Sequence, residues 1–262
     1  MGAYMNHIRP GKTGCGILLL MTALLFGSGC GKPEKEYYPG AGVKTVFSYN
    51  SRGQLNGTIK HYSSWGYLSK DESWQDGRKQ GLTVTYGKQG QVMGRAMFAD
   101  GRQNGPFISF YDNGSIEIEC TYNNGLLEGS YKKWHKNGNL AEEVAYMHDD
   151  KEGPETLYYA SGMLKRSAYY TAGMLQCPVI EFYESGAVRL VENYRNDKKN
   201  GIAKEYFENG RLKAEMLYRR GDKAASIEYD ESSRVISSTE EKKDFNFLEF
   251  VPRLAPLLEW AN

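Results

Sequence analysis

Apolar and polar side chains alternate along much of this chain with a period of two. Over residues 116–122 the apolar positions are Ile116, Ile118, Cys120 and Tyr122, and the positions between them are Glu117, Glu119 and Thr121. From 24 residues further on, Leu140, Val144 and Tyr146 alternate with Ala141, Glu143 and Ala145. Side chains two apart lie on the same face of a strand, so the pattern predicts β-strands with one apolar, aromatic face and one largely solvated face.

The alternating segments recur every 24 residues from Gly57 onwards. A first column reads Gly57, Gly81, Gly105, Gly129, Gly153, Cys177 and Gly201, and fades at Ala225. A second column, nine positions on, is all glycine: Gly66, Gly90, Gly114, Gly138, Gly162, Gly186 and Gly210. A third, seventeen positions on, is all aromatic: Trp74, Phe98, Tyr122, Tyr146, Tyr170, Tyr194 and Tyr218. We interpret these glycines and tyrosines as structural residues of a repeat protein.

The glycines predict tight turns and the intervening segments predict strands. Tyr111-Asp112-Asn113-Gly114 and Tyr122-Asn123-Asn124-Gly125 are typical of turns that need positive φ. Pro106, Pro154 and Pro178 follow the first column, where we expect a strand to begin. The predicted fold is all-β: an elongated, single-layer antiparallel ladder of β-hairpins, with roughly fourteen to sixteen strands and a short C-terminal cap segment.

Composition agrees with this fold and excludes one class of partner. The chain has 30 glycines and 20 tyrosines but only 8 prolines, as expected for many turns and aromatic strands. Its formal charge is +1, and removing Arg9 and Lys12 with the first thirty residues leaves 31 basic against 32 acidic side chains. No broad basic surface for nucleic acid remains.

Residues 1–29 have the features of an export signal. His7, Arg9 and Lys12 precede the apolar run GILLLMTALLF, and small residues lead to Cys30. The run is shorter than the roughly 20 residues that span a bilayer. The ending Gly27-Ser28-Gly29-Cys30 resembles a bacterial lipobox, except that leucine is commonest at the first position. We therefore predict lipidation at Cys30; ordinary cleavage and an uncleaved anchor are the alternatives. Because Gly31 is not acidic, the resemblance to bacterial lipoproteins implies an outer-membrane location facing the periplasm or the surface.

The two ends of the mature chain lie outside the predicted repeats. Residues 30–42 are interpreted as a tether, residues 43–229 as the repeat domain and residues 230–262 as a polar linker followed by an apolar segment. That segment, FNFLEFVPRLAPLLEW, is interrupted by Pro252 and Pro256. We expect it to cover the last hairpin; a membrane-docking or partner-docking tail is the alternative.

No residue set points to catalysis, a cofactor or a metal. The histidines of the mature chain, His61, His135 and His148, fall in different repeat columns. Cys120 and Cys177 lie five strands apart, about 24 Å at the usual strand spacing, so we predict two free thiols.

The repeated aromatic residues have two interpretations. Their rings can stack across strands along the ladder, which we favour, or form an exposed stripe that binds a partner. The better candidates for partner binding follow the aromatic position of each repeat, on the opposite face: Tyr111, His135, Tyr159, Tyr183 and Phe207.

The unit Tyr-x-Asn-Gly-x-Leu followed by Tyr-x-x-Gly-x-x-x-Gly resembles the MORN repeat, in its bacterial variant. Phe207-Glu208-Asn209-Gly210-Arg211-Leu212 and the segment from Trp134 to Leu140 carry the resemblance best. It implies a hairpin ladder with protein or lipid contacts and no catalytic centre, and some members resemble immunity partners of secreted toxins. The expected function is a non-catalytic envelope lipoprotein that acts as a protein-binding scaffold, and an antitoxin or immunity-type partner of a secreted toxin is the specific role that the resemblance implies. The alternatives are a structural envelope protein contacting lipid or peptidoglycan and, more distantly, a hydrolase.

Overall fold

Residues 31–240, which the computed structural model describes, form one antiparallel sheet of 20 strands. No helix occurs in this range, and none there could cross a membrane. Each strand pairs with its neighbour in the chain, except that β9 with β10, and β16 with β17, act as one interrupted strand between their neighbours. The strands are β1 (Glu34–Tyr37), β2 (Val43–Phe47), β3 (Gly57–Tyr62), β4 (Leu68–Gln75), β5 (Arg78–Tyr86), β6 (Val92–Ala99), β7 (Arg102–Phe110), β8 (Ile116–Asn123), β9 (Leu126–Leu127), β10 (Gly129–Trp134), β11 (Leu140–Met147), β12 (Asp150–Tyr158), β13 (Leu164–Thr171), β14 (Met174–Phe182), β15 (Val188–Arg195), β16 (Lys198–Lys199), β17 (Gly201–Tyr206), β18 (Leu212–Arg219), β19 (Asp222–Tyr229) and β20 (Val235–Glu240).

The second glycine column forms the turn that joins the two strands of each repeat. The amide of Gly114 donates to the carbonyl of Tyr111 at 2.9 Å, and the amide of Tyr111 donates to the carbonyl of Ser115 at 2.8 Å. Glycine is required because the backbone is left-handed there, with φ of 84° at Gly114. The same turn recurs in the later repeats at Gly138, Gly162, Gly186 and Gly210.

The first-column residue lies inside a strand in four of the seven repeats, at Gly81, Gly105, Gly153 and Cys177, where we expected a strand to begin; at Gly57, Gly129 and Gly201 a strand does begin, as predicted. Gly105 is in the middle of β7, with φ of 109°. The pairs Ala96↔Phe107 and Phe98↔Gln103 leave extra residues on β7, so Gly105 marks a β-bulge. Pro106 follows the bulge, where the ladder is already interrupted and a missing amide donor costs little.

A second irregularity moves side chains from one face to the other. Ser109 pairs with Ile118, but Phe110 pairs with Ile116 after a register shift. Directly paired residues share a face and neighbours in a strand do not, so Ile116 lies on the face opposite Ile118. Leu140, which pairs with Trp134 after the same shift, is likewise opposite Val144. The prediction that Ile116 and Leu140 belong to the apolar face is therefore wrong, because alternation is broken by the bulge.

The buried core is a single row of side chains across one face, which we call the first face. Within each repeat a residue of the first strand pairs with one of the second, as Ile59 does with Glu72, and Glu72 then pairs with Thr83 of the next repeat. The buried apolar members of this row are Ile59, Cys120, Val144, Ala168, Val179 and Ala203. A one-layer sheet has no second layer to cover this row, so the core is only one side chain deep.

At the C-terminal end the core changes face. Ala225 replaces the first-column glycine, and the bulge there is shortened, with Leu217 paired to Ala225 and Glu215 to Ile227. The strand is thereby displaced by one residue, which turns Ile227 to the second face. The buried cluster of Leu217, Ala225 and Ile227 forms on that face.

The sheet extends beyond the predicted repeat domain at both ends. Glu34–Tyr37, predicted as tether, pairs with β2, and Lys44 Nζ lies 2.8 Å from Glu36 Oε1 across this edge. Val235–Glu240, predicted as linker, pairs with β19. Both segments are too polar to show apolar alternation, yet a neighbouring strand supplies their backbone partners. Residues 1–29, Cys30 and the apolar segment after residue 244 lie outside the described range.

Replacing Cys177 with glycine is expected to stabilise the protein. Cys177 occupies the first glycine column with φ of 60°, a left-handed backbone that costs a non-glycine residue about 1 kcal/mol or more, and its side chain is exposed. Urea denaturation should show a gain of about 1 kcal/mol. Ala225→Gly, in the same column but without positive φ, should instead destabilise by about 1 kcal/mol. A loss of stability in Cys177→Gly would contradict this account of the bulge.

Candidate protein-binding surface

The residues predicted to bind a partner form a chain of contacts between successive repeats. In four of the five, a polar side-chain atom reaches the backbone carbonyl of the residue 23 positions later. The hydroxyls of Tyr111, Tyr159 and Tyr183 donate to the backbone carbonyls of Trp134, Phe182 and Tyr206, respectively, each at 2.7 Å. His135 Nε2 lies 2.9 Å from the Tyr158 carbonyl. Phe207 has no such atom and lines a surface cavity of about 430 Å³. All five side chains are half-buried, and the polar atoms of four serve the ladder itself.

The third-column aromatic rings do not form the continuous stack that we favoured. Rings contact within a repeat, edge to face, as Phe107 does with Tyr122 at 6.2 Å and Tyr131 with Tyr146 at 5.7 Å between centroids. In three repeats a lysine lies over the third-column ring of the next repeat: Lys79 over Phe98 at 4.9 Å, Lys151 over Tyr170 at 5.4 Å and Lys199 over Tyr218 at 5.0 Å. Repeat spacing leaves room for an ammonium group and its stem between rings.

These same lysines pair with glutamates buried in the core row, a feature that we did not anticipate. Glu72 Oε1 lies 2.8 Å from Nζ of both Lys70 and Lys79, and the Glu72 side chain is only 3% exposed. Glu155 is held by Lys151 and Arg166, and Glu192 by Lys199 at 2.5 Å and by the hydroxyl of Tyr194 at 2.8 Å. For Glu72 and Glu192 the sequence signal is a glutamate in a largely apolar column with a lysine seven positions later; for Glu155 the lysine lies four positions earlier.

The buried ion pairs shift the pKa of their members. Burial by itself raises the pKa of Glu72, but the contacts from Lys70, Lys79 and the Trp74 indole outweigh it and lower the pKa to about 2. Burial raises the pKa of Tyr194 to about 12, and the neighbouring Glu192 carboxylate adds to the rise. The groups therefore keep one charge state through the neutral range, which suits a structural role.

Neither the thiols nor the histidines assemble a reactive centre in residues 31–240. Both cysteines are free, as predicted, with Cys120 buried and Cys177 exposed. Burial raises the pKa of the Cys120 thiol to about 11, which disfavours the reactive thiolate. Across the described part of the chain no group of three or more His, Cys, Asp or Glu side chains could hold a metal ion.

Exposed apolar side chains lie along both edges of the sheet: Trp65, Ile116, Met163 and Val188 lie beside the first turns, and a second group lies along the edge where one repeat turns into the next. Each such turn has a directly facing pair at its base, such as Met147↔Asp150 and Thr171↔Met174. The side chains of Leu126, Met147 and Met174 in these pairs are 39%, 48% and 40% exposed. We call the line of facing pairs the second-turn row; it lies on the second face because each member neighbours a first-face residue, as Met147 does Tyr146.

The fold defines a β-hairpin repeat protein. A family model described as the MORN repeat variant matches residues 103–124, 127–148, 151–172 and 199–220, so the chain contains MORN repeats. Three of the matched segments are successive copies of the 24-residue unit, and the fourth follows after one unmatched copy. The flanking hairpins repeat the same geometry.

No curated protein matches the chain. Among solved structures, it is similar over 75% of its length to 14% of a chain in the TcdB2-TccC3-Cdc42 crystal structure, with 10% identity and a TM-score of 0.18. It covers 14% of a chain in the TcdB2-TccC3-TEV crystal structure, with 12% identity and a TM-score of 0.20. For the Photorhabdus luminescens Tc holotoxin pore the coverage is 13%, the identity 12% and the TM-score 0.14. The chain thus spans about one seventh of the length of these proteins.

The tyrosine hydroxyl of the contact chain is expected to stabilise the fold. Tyr159→Phe removes the bond to the Phe182 carbonyl and should lower the free energy of unfolding by about 1 kcal/mol in urea denaturation. Tyr169→Phe, at a tyrosine that is 44% exposed, is the matched control and should change it by less than about 0.5 kcal/mol. Equal effects in the two variants would contradict the structural role of the Tyr159 hydroxyl.

The Glu72 carboxylate is expected to make stability depend on acid pH. Its pKa is lowered from 4.5 to about 2 by folding, so its contribution is present above pH 4.5 and is lost as pH falls towards 2. The loss should be roughly 3 kcal/mol by urea denaturation. Glu72→Gln should lose this dependence, besides being less stable at neutral pH, because Lys70 and Lys79 are left without their partner. In the exposed control Glu184→Gln the wild-type dependence should remain; an unchanged slope in Glu72→Gln would refute the assignment.

Proposed function

We propose that this protein is a non-catalytic envelope lipoprotein whose repeat sheet binds another protein. MORN repeats are in general membrane-binding or protein-binding modules. The observation that carries the choice of a protein is the second-turn row, where Leu126, Met147 and Met174 expose apolar surface along one edge. A line of exposed apolar side chains rimmed by polar ones is typical of a protein interaction site.

A binding role is favoured over catalysis by the use of the polar groups. Glu72 and Tyr194 are paired within the sheet, and their shifted pKa values lie far from neutral pH. A catalytic acid or base works best with a pKa near the operating pH. The buried charges therefore support the fold, and the exposed edge is left for recognition.

The lipid anchor at Cys30 rests on the sequence of the first thirty residues. A lipidated Cys30 would place the sheet close to a membrane surface, with residues 31–33 between the lipid and β1. The outer membrane is the proposed location. Within this setting an immunity partner of a secreted toxin is the specific role that the family resemblance suggests.

A photo-crosslinking residue tests both parts of the proposal. Placed at Met147 of the full chain in its source cells, it is expected to yield an adduct with one polypeptide, recovered in the membrane fraction; placed at the exposed Lys88, on the opposite edge, it should not. Lipid adducts alone at Met147, or the same adducts at both positions, would contradict protein binding. In Cys30→Ala the protein should leave the membrane fraction, and firm retention there would refute the anchor.

A further inference from the structure

The C-terminal part of the second-turn row carries an unusual concentration of positive charge. Arg195 and Lys198 face each other directly at the base of one turn. Like charges in directly opposite positions destabilise a hairpin. Arg220, from the next turn, joins them around a surface cavity of about 380 Å³ that Asn196 and Asn200 also line. The sheet therefore holds three cations close together at a site rich in hydrogen-bond donors.

The N-terminal repeats show how this position is neutralised elsewhere. Arg78 occupies the place of Lys198, and its Nη1 lies 3.3 Å from Oδ1 of Asp100 in the next repeat. One repeat earlier Asp76, which corresponds to Asp100, lies 2.6 Å from Nη2 of Arg52, two residues before the position that corresponds to Arg78. The residue that corresponds to Asp100 beside Lys198 is Arg220, 120 positions later in a 24-residue period. The acid that balances the base in the first repeats is replaced by a second base.

The nearby carboxylates leave a positive excess. Asp197 accepts a hydrogen bond from the amide of Leu175 at 2.7 Å, which directs that oxygen towards the preceding repeat. Asp222 faces Arg219 across the following turn. Over residues 195–198 and 219–222 four basic side chains stand against two acidic ones, an excess of two positive charges. The Lys199–Glu192 ion pair adds no net charge to this excess.

The apolar and basic parts belong to one continuous surface. Met174 corresponds to Lys198 one repeat earlier, and Met147 corresponds to Arg195 two repeats earlier, so all four project from the second face. At about 4.8 Å between strands, Met174 lies about 10 Å from Lys198, and Met147 about 19 Å from Arg195. An extended chain of roughly three to six residues spans these distances.

We propose that this surface binds a protein segment that carries apolar side chains followed by carboxylates, with the apolar side chains on Met147 and Met174 and the carboxylates on Arg195, Lys198 and Arg220. Arginine forks bind carboxylates with two hydrogen bonds, and the amides of Asn196 and Asn200 add donors. This rests on the proposed function, of which it names the partner's chemistry. An anionic membrane is disfavoured because Asp149 and Asp150, both exposed, sit within the apolar part of the same edge.

Anisotropy with fluorescent peptides tests the proposal on the full chain. The probe has two leucines followed, after three serines, by three glutamates; a matched peptide has lysines in place of the glutamates. The triple variant Arg195→Glu, Lys198→Glu and Arg220→Glu should bind the glutamate peptide at least tenfold more weakly than wild type and should prefer the lysine peptide. The control triple variant Lys35→Glu, Lys60→Glu and Lys88→Glu changes the same total charge at exposed positions and should bind the glutamate peptide within twofold of wild type.

Three results would overturn the inference, provided that circular dichroism shows all variants folded. These are equal weakening in both triple variants, no weakening in the first, or binding of phosphatidylglycerol vesicles that the first variant abolishes while the peptide does not bind. The inference fails separately from the proposed function: if the adduct at Met147 persists undiminished in the Arg195, Lys198 and Arg220 variant, protein binding stands and the acidic partner does not. Absence of any protein adduct at Met147 removes both.

Discussion

The whole architecture depends on hydrogen bonds that join each repeat to the next in one register. The backbone ladder between strands is reinforced at the first turn, where a side chain of one repeat donates to a carbonyl 23 residues later, as Tyr159 does to Phe182. In a single-layer sheet each repeat contacts only its neighbours, so these contacts alone fix its position. An inserted residue would displace every later side chain to the other face, which explains why the 24-residue spacing is unbroken over seven copies.

A sheet of one layer must also build its core from what two neighbouring strands can cover. This core combines a thin row of apolar residues with glutamates that are enclosed by lysine stems and aromatic rings. Glu72 is the clearest example, because Lys79 pairs with its carboxylate and also lies over the ring of Phe98. The lysine stem covers apolar surface while its ammonium group compensates the buried charge, so one side chain links core, ion pair and the next repeat.

The difference between the residues at the two kinds of turn indicates which surface is available to a partner. The residues beside the first turn have polar atoms that serve the ladder, so their role in partner binding stays a prediction. The second-turn row has the opposite character, because Met147 and Met174 project outward and Arg195 and Lys198 face each other without a balancing acid between them. The residues of this row differ from repeat to repeat, as Gln75 and Arg78 differ from Thr171 and Met174, and the row therefore distinguishes one repeat from another.

The sequence alone determined the period, the all-β ladder, the turn glycines and the two free thiols, because strand alternation and the need for positive φ act over a few residues. It could not distinguish Gly105 from Gly114: both have positive φ, and only strand pairing shows that one lies in a bulge and the other in a turn. Bulges also decide that Ile116 lies on the face opposite Ile118, and that the buried core moves from the first face to the second at Ala225. The enclosure of Glu72 and the cluster at Arg195, Lys198 and Arg220 join neighbouring repeats, so only the tertiary structure decided them.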